Sequence, residues 1–116
     1  MTRLLPLLLC ACTPVALQPP VVCTIDDLPA GVLAEADIET QTVTLAPGWD
    51  RLPVAVQWVV LAHELCHLRG YTTEAGADCC AADAVGRMCG RAFVLDAALW
   101  LQYRGRDVTQ LVECVP

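Results

Sequence analysis

His63 and His67 are the only two histidines in a chain of 116 residues, and they stand four positions apart with Glu64 beside the first. On a helix, positions i and i+4 share a face, so both imidazoles of His63-Glu64-Leu65-Cys66-His67 can reach one metal ion. Glu64 then points about a quarter-turn away, where it can polarise a water on the metal instead of binding the metal itself. A site of this kind needs a third protein ligand and leaves a fourth position to water. Glu74 and Asp78 are the candidates, again four apart and so on one face of a second helix.

The elements that must position these groups can be read from the neighbouring residues. Pro53 suits the start of a helix and Gly70 its end, which puts both histidines on one helix over about 53–70. Val56, Val60, His63 and His67 share one side of it, and Trp58, Leu61, Leu65 and Leu68 cover the opposite side. A helix apolar around most of its circumference belongs in the middle of a domain. Thr72 and Thr73 are both acceptable N-caps for the second helix, which should run to about Met88 before Gly90 breaks it. Six residues, Leu68 to Thr73, separate His67 from Glu74, a loop short enough to force an antiparallel pair. His67 and Glu74 then flank the turn, with His63 and Asp78 one helical turn deeper. Ala77, Ala81 and Ala82 let the two backbones approach closely.

Arg91 to Arg104 reads as a third helix carrying Phe93, Leu95, Leu99 and Trp100, and Val108, Leu111 and Val112 as a short terminal helix or turn. Before the helix pair, Val21 to Asp26 reads as a strand. So does Ile38 to Leu45, which is rich in β-branched residues and ends at Pro47-Gly48. The expected fold class is α+β: a short β-edge packed on a buried helix pair, with one or two C-terminal helices.

His63-Glu-Leu-Cys-His67-Leu-Arg-Gly followed by Thr73-Glu74-Ala-Gly-Ala-Asp78 resembles the gluzincin zinc peptidases, with their H-E-x-x-H helix and a later E-x-x-A-D type helix. It also resembles a compact bacterial branch with H-E-x-x-H-x-R-G and a nearby glutamate. The resemblance covers about Val54 to Val85. It implies a minimal zincin-like core, Zn2+ on His63, His67 and Glu74, Glu64 as general base, and Asp78 as an acceptor orienting a histidine N–H. The implied activity is amide hydrolysis of a peptide or protein substrate by a metal-bound water activated by Glu64. The residues alone leave Glu74 and Asp78 both open as third ligand. The gap from His67 to Glu74 is much shorter than in the large gluzincins, so their cleft anatomy does not transfer. Gly70 also fits the metzincin pattern, but Thr73 stands where that family has its third histidine, and threonine is a poor zinc ligand.

Other roles compete for several of these residues. The histidines could be core residues satisfied by Asp78 or by backbone carbonyls, and Glu74 could serve the dipole at a helix start. Tyr71, in the loop between the ligand helices, is a candidate oxyanion donor or a residue that packs the turn. Cys66 could join Cys79 or Cys80 in a structural Cys/His zinc site, but it projects off the histidine face.

Composition narrows the class further. The chain carries a net charge of −6, and its seven basic residues are all arginine and scattered, which disfavours nucleic-acid binding. An apolar fraction of 56% with 17% charged residues is that of a folded single domain. Met1-Thr2-Arg3 followed by an apolar run reads as a signal peptide over 1–11. It is too short to span a membrane. Leu9-Cys10-Ala11-Cys12 resembles a lipobox that would make Cys12 the lipidated residue, followed by a Pro-containing tether over 12–20 and the domain over 21–116. Six cysteines remain, Cys23, Cys66, Cys79, Cys80, Cys89 and Cys114, enough for up to three disulfides in an exported, periplasmic or cell-surface protein. Adjacent Cys79 and Cys80 should take separate partners. The alternative reading is an exported, disulfide-pinned metal-binding accessory lipoprotein without catalytic turnover.

Overall fold

The computed structural model describes residues 22–116, and the expectations for the signal peptide, the tether and Cys12 lie outside them. Among these residues the chain forms strands β1 (Val22–Ile25), β2 (Ala34–Asp37) and β3 (Thr42–Leu45), then helices α1 (Val54–Leu68), α2 (Glu74–Cys89), α3 (Arg91–Tyr103) and α4 (Thr109–Cys114). The fold is α+β, with a small sheet and four packed helices.

α1 is buried nearly all round, as its sequence requires. Val56, Gln57, Trp58, Val59, Val60, Leu61, Ala62, His63, Leu65 and Cys66 are all buried. Full burial of a side chain such as Leu61 contributes roughly 1.5–3 kcal/mol. Gln57, in the early part of that run, is satisfied by donating from Nε2 to the Leu52 carbonyl at 2.9 Å. Around α1 stand Val43 and Leu45 from the sheet, Ala81, Ala82 and Val85 from α2, and Val94, Ala97, Ala98 and Leu101 from α3, in a single core.

Thr73 is the N-cap of α2, its Oγ1 accepting from Gly76 N at 2.9 Å. α1 and α2 run antiparallel across the short loop. Ala77, Ala81 and Ala82 are fully buried between elements, so small side chains set the close approach. Two disulfides fasten α2 on both sides, Cys66–Cys80 to α1 and Cys79–Cys114 to α4. Adjacent cysteines therefore do take separate partners, and Cys66 is no metal ligand. Cys89 is disulfide-bonded as well. Cys23 departs from the expected set, being a free thiol buried in β1.

The sheet corrects one expectation. Ile38 to Leu45 is not one strand: β3 begins at Thr42, and β2 precedes it in an antiparallel hairpin with Asp37 opposite Thr42. Asp37 Oδ1 accepts from Glu39 N at 3.0 Å and Thr40 N at 3.3 Å, and Gln41 takes a positive φ of 55°. This local turn chemistry outweighs the β-propensity of Ile38 and Thr40. Strand order is β1-β3-β2, with β1 parallel to β3. Among the described residues β2 is therefore an edge strand. Ala46 N donates to Leu33 O at 2.9 Å, and alternation along an antiparallel pair then turns the main-chain groups of Ala34 and Ala36 to the free edge.

Candidate metal centre

α1 brings His63 and His67 onto one face, and the antiparallel α2 brings Glu74 and Asp78 opposite them. His63 Nε2 lies 3.1 Å from His67 Nε2 and 3.1 Å from Glu74 Oε1, and His67 Nε2 lies 2.9 Å from Glu74 Oε2. The other ring nitrogens are committed elsewhere. His67 Nδ1 is 2.6 Å from the Tyr71 carbonyl, which can only accept, so the proton sits on Nδ1. His63 Nδ1 donates to Asp78 Oδ1 at 2.6 Å. In neutral imidazoles this leaves both Nε2 lone pairs facing each other and a carboxylate. Three electron-rich groups at such range repel one another unless a cation or proton lies among them.

The donor set fits a zinc ion. Two imidazole nitrogens and a carboxylate oxygen are the ligand types of catalytic zinc, and bonds of about 2.0–2.1 Å in tetrahedral geometry put neighbouring ligand atoms about 3.3 Å apart. Ligand atoms of His63, His67 and Glu74 all lie within 4.8 Å of one another. Glu74 supplies its carboxylate from an exposed position, its side chain 78% accessible, at the first turn of α2. Asp78, one turn deeper and buried, is set toward His63 and not toward the shared centre.

Glu64 lies beside the cluster but outside it. Its Oε2 is 3.8 Å from His63 Nε2, while Oε1 accepts from Ala36 N at 3.0 Å. The free edge of β2 thus holds this carboxylate. Burial raises the Glu64 pKa above the ordinary carboxylate value, against the opposing pull of the histidines and the Ala36 amide. For His63, burial pushes the pKa down, but the hydrogen bond and charge of Asp78, with help from Glu64, leave it raised overall.

Two groups at the site have no sequence signature. One is the Ala36 amide. The other is Arg106, in the turn between α3 and α4, whose Nη2 donates to Asp78 Oδ1 at 2.9 Å and lies 3.4 Å from His63 Nδ1. Asp78 therefore serves His63 and Arg106 with one oxygen. Tyr71 contributes its carbonyl to His67, while its half-exposed side chain lines neither of the two clefts at the centre.

Those clefts meet at the cluster. One, of about 190 Å³, is bordered by Leu33, Ala34, Val60, His63 and Glu64. The other, of about 400 Å³, lies between α2 and the α4 end of the chain, bordered by Ala75, Asp78, Asp107, Thr109 and Gln110. Glu74 and Arg106 line both. The arrangement can hold a divalent cation, keep a carboxylate beside it but outside its ligand set, and admit a ligand from two sides. No family model matches this chain, and no curated protein or solved structure matches it either.

Proposed function

We propose that the protein is a zinc-dependent peptidase whose metal is held by His63, His67 and Glu74 and whose general base is Glu64. The observation that carries the reading is the division of labour among the acidic groups. Glu74 converges with both Nε2 atoms, Asp78 orients His63, and Glu64 stands beside the centre without joining it. A structural zinc site would close around four protein ligands and have no use for a carboxylate held just outside them.

When bound, the zinc would supply Lewis acidity, polarising a carbonyl and making water a better nucleophile at neutral pH. The chain's own groups do the rest. Asp78 and the Tyr71 carbonyl hold the imidazole protons on Nδ1, which fixes the rings and leaves each Nε2 available. An extended substrate can lie along the free edge of β2, where the main-chain groups of Ala34 and Ala36 offer strand-like hydrogen bonds. Its arrival displaces the Ala36–Glu64 contact and frees the Glu64 carboxylate. Glu64 takes a proton from the attacking water as the C–O bond forms, then delivers it to the amine as the C–N bond breaks. The raised proton affinity of a buried carboxylate suits that shuttle.

The disulfides favour an oxidising compartment, in keeping with export. The accessory-protein reading draws on one observation, the occupation of Glu64 Oε1 by Ala36 N–H. Digestion of a diverse peptide mixture by the zinc-loaded, oxidised domain, read by mass spectrometry beside Glu64→Gln, separates the two. Cleavage by the wild type alone is expected. No cleavage by either protein, with one zinc bound to each, rejects the peptidase in favour of the metal module.

A further inference from the structure

Arg106 does more than pair with Asp78. It is one-third exposed, its side chain 32% accessible, and it is the one arginine bordering either cleft. Guanidinium carries five N–H donors in a planar fork. In Arg106 the contacts to Asp78 and His63 are made by Nη2 alone, and Nε and Nη1 donate to no described residue. Such a fork matches a carboxylate with two parallel hydrogen bonds. Beyond Asp78, which takes Nη2, the nearby acids do not satisfy it. Asp107 Oδ1 is turned back onto Thr109, accepting from its N at 2.9 Å and its Oγ1 at 2.6 Å, and Glu74 faces the histidines.

We propose that Arg106 recognises the free α-carboxylate of the substrate in the cleft between α2 and α4, so that the preferred substrate is a peptide cut close to its C-terminus. This rests on the peptidase reading for the bond that is cut, but not for the binding of the carboxylate. The N-terminal part of the substrate lies along β2, and the released C-terminal piece occupies the larger cleft beside Thr109 and Gln110. Cleavage is ordinary hydrolysis: water adds to the carbonyl carbon, the C–N bond breaks, and the amine leaves with the proton carried by Glu64.

The test uses two peptides identical except for a free or an amidated C-terminus. Binding to zinc-loaded Glu64→Gln protein is followed by isothermal titration calorimetry, and hydrolysis by the wild type is followed in parallel. The free acid should bind about tenfold tighter or better, the scale of a charge-assisted hydrogen-bonded pair. In Arg106→Gln the ratio should fall to about one, with Arg106→Lys in between, since the lysine keeps the charge but lacks the fork. A purely supporting role through Asp78 would weaken both peptides alike and leave the ratio unchanged, which overturns the assignment. Equal binding of both peptides by the parent protein, or binding of neither, overturns it too. Preferential binding of the free acid without hydrolysis of either peptide would sink the peptidase reading while the carboxylate site stands.

Discussion

Glu74 and Asp78 come from adjacent turns of one helix and carry the same charge, yet their removal should produce opposite signatures. Asp78 is buried and accepts from both His63 and Arg106. Asp78→Ala leaves the His63 Nδ1–H buried without an acceptor and strips Arg106 of its partner. In the metal-free protein that should cost about 3 kcal/mol, the lower end of what breaking a buried ion pair costs, because Arg106 can turn to solvent. Its effect on zinc is indirect, through the orientation of one imidazole, and should be about 10–100-fold in affinity. Glu74 is mostly exposed, so Glu74→Ala should change metal-free stability by no more than about 0.5 kcal/mol, the scale of a carboxylate at a helix start. It nevertheless deletes one of the three proposed ligands and should weaken zinc by more than about 100-fold, beyond the range of an orienting group. Urea titrations of both variants with and without zinc read both quantities, since each tenfold of affinity is worth about 1.4 kcal/mol of metal-linked stability. Equal zinc titrations for the two variants, or the larger zinc loss in Asp78→Ala, would refute the assignment of Glu74 as ligand.

Other outcomes follow from the same geometry. Replacing both Cys66 and Cys80 by alanine should lower stability by about 3 kcal/mol, the chain-entropy value for a link spanning 14 residues. A thermal midpoint within a few degrees of the parent would show that α2 is held without that link. Burial pushes the Cys23 thiol up to about 11, so iodoacetamide at pH 8 should leave Cys23 unlabelled in the native protein and label it in denaturant; rapid native labelling contradicts the buried placement. The folded pKa values of Glu64 and His63 are both raised above their ordinary 4.5 and 6.5. The metal-free fold therefore holds more protons than the unfolded chain at and above those values, and its stability should fall as pH rises through them. Zinc must displace protons from its ligands, so the stabilisation it adds should grow over the same range. Urea midpoints at pH 5.5 and 8.0, with and without zinc, should diverge in that sense, and parallel pH profiles would count against it.

How much of this could be read beforehand depended on where each constraint resides. α1 and α2 were legible because long apolar periodicity, Pro53, Thr73 and Gly90 all act locally, and because a short loop leaves antiparallel packing as the outcome. The facing of His63 and Asp78 followed from the same arithmetic. β2 was not legible: Ala34-Glu35-Ala36-Asp37 has little β-propensity, and its pairing with β3 comes from the sheet and from the Asp37 turn. The hold on Glu64 was hidden because the donor is a main-chain amide, which any residue at position 36 but proline would supply. Arg106 reaches Asp78 across 28 residues through a turn, a contact with no spacing rule to announce it. That Cys79 and Cys80 part ways was legible from helix geometry, whereas the choice of Cys66 and Cys114 as partners depended on how three helices pack.

The proposed peptidase activity depends on three ligands converging on one ion, and zinc K-edge X-ray absorption of the oxidised protein with one equivalent of zinc addresses that convergence most directly. A four-coordinate site of nitrogen and oxygen at about 2.0–2.1 Å is expected, with two imidazoles and no sulfur, and loss of an oxygen ligand or of the metal in Glu74→Ala. Sulfur scattering at about 2.3 Å, or an unchanged spectrum in Glu74→Ala, would contradict it.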